Sequence, residues 1–444
     1  MPELNIDQLV REAVFGDDAA KAAARKQIHL EARARGAISS SVYDFYMAVG
    51  RGEVRPFTVP AFNIRALTYD AARALFRAAK KHDVGAFIFE IARSEIGYTE
   101  QRPAEYAACV LAAAICEDFR GPVFIQGDHF QASAKKWATP EGQAAEMKAL
   151  ESLIDEAIAA ELYNIDIDTS TLVSLDFPTR DEQQRANYEG TAHLTRYIRA
   201  RQPKGITISV GGEIGEVGKY NTQPDEVRAY MDGLVRLLDG DAGISKISVQ
   251  TGTSHGGVPL ADGSIAQAKI DFNVLREVTE IGRGEYHIAG SVQHGASTLP
   301  ESVFNKFPEA NAVEIHLATG FQNMVLDAPS LPAEMKQAIR DFCFEHAADE
   351  RKPGQTDEQF VYTTRKKALG PFKRQLWDMP AENKQPIIDA LQEKFELLME
   401  RLGVHGTTSV VAKYIDTSHS ERPEYAAASA ELTAAAVVDP NEGE

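Results

Sequence analysis

Cysteine is scarce in this chain: Cys109, Cys116 and Cys343 are the only three in 444 residues. No CxxC pair occurs, and three thiols form no disulfide framework, so neither a stapled scaffold nor a cysteine-ligated metal is expected. Cys109 and Cys116 lie about two helical turns apart in an Ala-rich stretch, which suits buried thiols. No run approaches the ~18 apolar residues of a membrane span, and the charged opening MPELNIDQLVREAV has no apolar signal core. The expectation is a cytoplasmic protein with no membrane partner. Positive charge is also in deficit, with 47 Lys and Arg against 65 Asp and Glu and a net charge of -18. Without a local basic patch, such a chain repels phosphate backbones and anionic lipid, so no nucleic-acid partner is expected. Small anionic substrates stay compatible, because the charge of a site can oppose that of the whole. No internal repeat of solenoid period is found.

What is present is an ordinary globular composition, 44% hydrophobic and 25% charged, long enough for a large α/β unit with terminal additions. The stretch at 122–130, PVFIQGDHF, is an apolar run that stops at Gly127 and delivers Asp128 and His129. It reads as a core strand carrying two reactive groups to its C-terminal end, although a helix-capping Asp and a structural rim histidine would use the same letters.

Strand-like segments recur at 57–62, 84–89, 123–128, 162–168, 206–213, 247–252, 286–295 and 312–318, most of them separated by helical stretches. Eight strands with crossover helices predict an α/β fold, a closed (β/α)8 TIM barrel; an open doubly wound sheet shares the alternation. The polar residues favour the barrel. Asp128 and His129 end the third strand, Asp168 the fourth and Glu213 the fifth, His255 follows the sixth, His294 ends the seventh and His316 lies in the eighth. In a barrel these ends converge on one mouth. His129, His255 and His294 would then form a three-imidazole site of the catalytic zinc kind, with an open coordination position. His82, His193 and His405 fall in helical or linker contexts and read as packing or surface residues. The flanks complete a four-part division: an N-terminal helical extension at 1–55, the barrel at 56–328, a C-terminal helical extension at 329–417 and an acidic tail at 418–444.

The segments VPAFN at 59–63, GDH at 127–129, IDIDTS at 165–170, EIG at 213–215, TQPDEV at 222–227, TGTSHGG at 251–257, KIDF at 269–272 and HGAS at 294–297, in this order, make the sequence similar to the class II, metal-dependent ketose-bisphosphate aldolases, notably the fructose and tagatose bisphosphate branches. The resemblance implies a TIM barrel, a zinc ion or another divalent metal such as Mn2+ or Co2+, and a homodimer or homotetramer. It implies reversible cleavage of a ketose (bis)phosphate, such as fructose- or tagatose-1,6-bisphosphate, to dihydroxyacetone phosphate and an aldehyde through a metal-stabilised enediolate. On the matching positions it makes His129, His255 and His294 the metal ligands, with Asp168 and Glu213 as carboxylates binding or orienting the metal. Asp128 becomes the acid/base at the C4 hydroxyl. Gly256, Gly295, Ser297 and Thr319 match the cradle of the C1 phosphate, where glycine lets backbone N–H groups approach an anion; Asn63 and Lys269 are further matches.

Three departures concern the substrate. His316 stands where the family usually has an Asn that contacts the reacting fragment. The loop after Glu213 reads GEVGKYN rather than the family's acid-bearing segment, which makes Glu216 the available proton-transfer acid. FEIARSE at 89–95 puts Glu90 and Ala92 where the family has a glutamine and a serine. These departures keep a second activity open, a ketose or ketose-phosphate 4-epimerase that uses the same retro-aldol step.

Overall fold

The computed structural model describes residues 4–215, 220–252, 260 and 270–417. Nine strands among the described residues form one parallel sheet: β1 Ala37–Ser40, β2 Val59–Asn63, β3 Ile88–Ala92, β4 Gly121–Gln131, β5 Asn164–Asp168, β6 Ser209–Glu213, β7 Lys246–Val249, β8 Ser291–Gln293 and β9 Glu314–Leu317. Each strand from β2 to β9 pairs with the next, and β9 pairs with β2 through Val59↔Glu314 to Phe62↔Leu317. The result is a closed eight-stranded TIM barrel with helical extensions.

The crossover helices form for local reasons. Thr68–Lys81 buries Ala71, Ala72, Leu75, Phe76, Ala78 and Ala79 on one side and carries Lys80 and Lys81 in its last turn, where they oppose the negative end of the helix dipole. Its Phe76 packs against Phe89 of β3 and against Phe119, with ring centroids 5.0 and 4.7 Å away. Helix Pro103–Cys116 is sealed because the N-terminal helices Ile6–Phe15 and Asp18–Ala34 lie over it. Asn5 and Asp17 cap those two helices by accepting from the backbone N–H groups of Gln8 and Ala20.

The region before residue 55 is more than the helical extension that its sequence suggests. β1 runs parallel to the first half of β4, from Ala37↔Gly121 to Ser40↔Phe124, whereas β5 pairs only from Gln126 onward. The Asn164 side chain locks β1 in place: its Oδ1 accepts from Val42 N–H at 2.8 Å, and its Nδ2 donates to the carbonyls of Ser40 and Ile125 at 3.2 and 3.0 Å. At the other end of the chain, helix Ala381–Arg401 lies along Thr68–Lys81 and sets Phe395 against Phe62 and Phe321. Trp377 stacks on Tyr69 at 6.1 Å.

The barrel interior is polar. Lys246, fully buried, reaches Gln126 Oε1 at 2.7 Å, Asp166 Oδ2 at 2.9 Å and Glu314. Glu314 also accepts from Tyr46. One ammonium shared by two carboxylates meets the requirement that buried charge be paired, and it carries a hydrogen-bonded column up to the mouth.

Candidate active site at the barrel mouth

Side chains alternate along a strand, so two consecutive residues cannot both face a barrel interior unless the strand is broken. β4 is broken at the required place. Gly127 pairs with Ile165 but Phe130 pairs with Ile167, so three steps on β4 oppose two on β5 and one residue is extra, a β-bulge. His129 takes a left-handed backbone, φ 40°, which is strained for a residue with a side chain. Asp128 and His129 consequently both line the mouth, at 4% and 9% exposure. Gly127 makes room for this: a Cβ there would sit 2.5 Å from the ring of Phe130.

Around this pair the other strand ends close in. His129 Nδ1 lies 3.2 Å from Glu213 Oε2 and 3.3 Å from Asp168 Oδ2. The His129 and His294 rings are 4.2 Å apart, and those of His294 and His316 are 4.1 Å apart. His316 Nδ1 lies 3.1 Å from Asp128 Oδ1 and 3.1 Å from Glu90 Oε2, and its Nε2 lies 2.6 Å from Glu314 Oε1. A pocket opens there, and Asn63, Asp128, His129, His294, Gly295, Ser297, His316 and Thr319, all singled out from sequence, line it. Glu213 and Asp168 flank His129. His255, Gly256, Glu216 and Lys269 lie outside the described residues.

The same pocket is lined by residues that sequence reasoning passed over or left without a role: Arg65, Glu90, Ser94 and Glu95. Arg65 donates to Asn63 Oδ1 and Gln322 Oε1 and pairs with Glu95 at 2.6 Å. A signal existed for the buried set: Glu90, Lys246 and Glu314 are charges inside apolar strand segments, IFEIA, KISV and EIHL.

The electrostatics follow from burial and from who faces whom. Burial alone would raise the Asp128 carboxyl, but His129, His316 and His294 outweigh it and hold it well below the usual range. Burial pushes Glu213 up to about 7, and the like charge of Asp168 adds to that. Burial also raises Glu90 well above the ordinary carboxylate value, His316 opposing it and Asp128 reinforcing it. For His129 and His316 burial disfavours the charged ring, yet the surrounding carboxylates win and raise both.

A cluster in which carboxylates hold imidazoles cationic is one that a dication can occupy in place of protons. The donor set fits such an ion: His129, His294 and Glu213 each offer a ligand atom, and those atoms lie within 4.8 Å of one another. Two imidazoles and a carboxylate are a set suited to catalytic zinc. Asp168 stands behind, in hydrogen-bonding contact with His129 and with the N–H and hydroxyl of Ser170, at 3.0 and 2.6 Å. That is the position of a group that orients a ligand ring.

Residues 51–384 match the family model described as fructose-bisphosphate aldolase class-II. The chain belongs to this family. Solved structures add likeness in fold. The fructuronate-tagaturonate epimerase UxaE of Cohnella laeviribosi is 11% identical with a TM-score of 0.55, covering 79% of this chain and 82% of its own. A probable tagatose 6 phosphate kinase from Sinorhizobium meliloti 1021 is 14% identical with a TM-score of 0.52, covering 86% and 97%. The fructose-bisphosphate aldolase (Fba) of Campylobacter jejuni is 16% identical with a TM-score of 0.48, covering 84% and 96%. No curated protein matches the sequence. For a member of the class II aldolase family, the rim position of Asp128, His129 and His294 is where the barrel concentrates chemistry.

Proposed function

We propose that the chain is a divalent-metal-dependent lyase of the class II aldolase type, reversibly cleaving a ketose phosphate such as fructose- or tagatose-1,6-bisphosphate to dihydroxyacetone phosphate and an aldehyde. The observation that carries this reading is the bulge that turns Asp128 and His129 together into the mouth, beside His294 and Glu213. His129, His294 and His255, with Glu213 and with Asp168 behind them, are the residues that would hold zinc or a similar ion. When bound, such an ion supplies Lewis acidity at the substrate's C2 carbonyl.

The chain's own residues account for the remaining needs. Asp128, held ionised by its imidazole neighbours, accepts the proton of the C4 hydroxyl as the C3–C4 bond breaks and returns it in the reverse direction. Gly295, Ser297 and Thr319 hold the C1 phosphate. Ser297 Oγ accepts from Gly320 N–H at 3.0 Å, so the hydroxyl and the start of helix Thr319–Leu326 share one edge of the pocket. Glu216 is the acid assigned to proton transfer at C3. A cytoplasmic homodimer or homotetramer is the assembly that goes with the family.

His316 favours a second reading, a 4-epimerase. An imidazole in contact with Asp128 adds a second group that can protonate the carbonyl oxygen of a rotated aldehyde as the C3–C4 bond re-forms on its other face. One neighbour in fold, UxaE, is named as an epimerase of two ketouronates. Incubation with ketose bisphosphates and a triose-phosphate-trapping dehydrogenase separates the readings. Trapped triose supports the lyase; a C4 epimer formed without free triose replaces it.

A further inference from the structure

Glu90 is a buried carboxyl for which cleavage at Asp128 alone has no use. Ala92 pairs with Asp128 across β3 and β4, and strand alternation puts Glu90, two residues earlier, on the same face as Ala92. Only a methyl group therefore stands on β3 at the level of Asp128, and Ala92, Glu90 and Asp128 line one pocket. Gln126 settles which Glu90 oxygen is taken. Its Oε1 accepts from the Lys246 ammonium at 2.7 Å, a group that can only donate, so its Nε2 is the donor, to Glu90 Oε2 and to Glu314 Oε1, both at 3.1 Å. Glu90 Oε2 also lies 3.1 Å from His316 Nδ1. Oε1 has no hydrogen-bond partner among the described residues, although Glu90 is fully buried. A buried oxygen in this state is costly unless a ligand completes it.

The same imidazole nitrogen lies 3.1 Å from Asp128 Oδ1. One nitrogen thus faces two carboxyls, and the single proton it carries can pass to only one of them at a time. The two carboxyls are not equivalent. Burial, which His316 opposes and Asp128 reinforces, keeps Glu90 protonated where Asp128 is ionised, so the pair consists of one acid and one base. Breaking the C3–C4 bond frees an aldehyde that can turn about its C4–C5 bond and offer its other face, with its oxygen then directed away from Asp128. To serve that oxygen His316 would give up the proton that Nδ1 holds against two carboxyls, whereas Glu90 Oε1 is engaged by no other group among the described residues.

We propose that Glu90 is a second acid/base at C4, serving the configuration that Asp128 does not, so that this site breaks and makes the C3–C4 bond in both C4 epimers of its ketose. The proposal rests on the ketose-cleaving reading. The protons balance. Asp128 takes the C4 hydroxyl proton as the C3–C4 electron pair passes into the three-carbon fragment. When that fragment adds to the turned aldehyde, the pair forms the new C3–C4 bond, the aldehyde oxygen takes the proton of Glu90, and Asp128 restores that proton through His316 Nδ1. No co-reactant is consumed.

The test runs in the aldol direction, with the metal-loaded full chain, dihydroxyacetone phosphate and either D-glyceraldehyde or its 3-phosphate, followed by phosphatase treatment and chromatography of fructose and tagatose, which differ only at C4. The wild type should form both sugars, the lesser at one tenth or more of the greater. Glu90→Gln should remove one of them, shifting the ratio ten-fold or more, and Asp128→Asn should keep mainly the sugar that Glu90→Gln loses. A purely structural role for Glu90 would instead lower both sugars together. Glu90→Asp, whose carboxyl is one methylene shorter, should shift the ratio in the same direction by three-fold or more, and it decides the case if Glu90→Gln does not fold. A single sugar from the wild type, a ratio that the Glu90 variants leave within three-fold, an equal fall of both sugars, or loss of that same sugar or of both in Asp128→Asn overturns the proposal and leaves the cleavage reading standing. No ketose from either aldehyde with the wild type overturns that reading and the proposal with it.

Discussion

His316 Nδ1 lies 3.1 Å from Asp128 Oδ1, and the same ring touches Glu314 through Nε2 at 2.6 Å, so one imidazole joins Asp128, the proposed acid/base at the mouth, to the charged column inside the barrel. An asparagine amide here would be neutral and would lose one end of that bridge. His316→Asn should lower kcat/KM by about 10- to 100-fold, as for removal of a group that orients a reactive neighbour. The loss should appear mainly in kcat, with melting temperature and metal content near wild type. Steady-state kinetics on the accepted ketose checks this, and an unchanged kcat would remove His316 from the chemistry.

Lys246 is paired with both Asp166 and Glu314, which are buried with it and which His316 Nε2 also approaches, at 3.7 and 2.6 Å. Lys246→Met leaves two carboxylates with His316 as their shared cationic neighbour and should cost about 3–5 kcal/mol, the usual penalty for breaking a buried pair from one side. Adding Glu314→Gln should recover part of the loss. Urea unfolding of the single and double variants measures the difference.

Gly127→Ala introduces a methyl group 2.5 Å from the ring of Phe130, at the residue where the bulge begins. Overpacking of this kind costs about 1–3 kcal/mol. Because the bulge aims His129, the variant should also lose divalent metal under dialysis that leaves the wild type loaded. Retained metal would mean that the ligand position does not depend on the bulge.

The strands from 57 to 318 and the rim set were legible because each strand is a short, largely apolar run and the third, fourth, fifth and seventh close on Asp128, Asp168, Glu213 and His294. The bulge was not. Nothing in the letters GDHF distinguishes a regular strand, with Asp128 and His129 on opposite faces, from one that gains a residue against β5. β1 was missed because AISS is four residues long with one large apolar side chain, and its pairing with β4 depends on Asn164, more than a hundred residues away. The column of Gln126, Asp166, Lys246 and Glu314 sits at alternate positions of strands whose other face is apolar, so each polar letter alone looks like an exception. Arg65 lies beyond a strand end, and only the fold brings Gln322 and Glu95 to it.

His29 is fully buried in helix Asp18–Ala34, 3.1 Å from Glu161, and burial first and Arg33 second lower it from 6.5 to about 3. The folded value lies below the unfolded one, so the unfolded chain binds the proton first. This contribution to stability is whole above pH 6.5 and is lost as the pH falls toward 3. Between pH 7 and pH 5 it amounts to about 2 kcal/mol. His29→Gln should therefore show a flatter fall in unfolding free energy over that interval; an equally steep fall would place the acid sensitivity elsewhere.

The proposed function requires that the mouth of this barrel activate a three-carbon ketose phosphate beside Asp128, whatever aldehyde joins it. The most direct measurement is proton NMR of dihydroxyacetone phosphate in D2O with the metal-loaded chain. One C3 proton signal should be lost at a rate proportional to protein, with the loss abolished by a chelator and in His294→Ala and retained at least in part in Asp128→Asn, whose missing carboxylate is proposed to act at C4. No exchange by the metal-loaded wild type, or exchange that survives in His294→Ala, would contradict it.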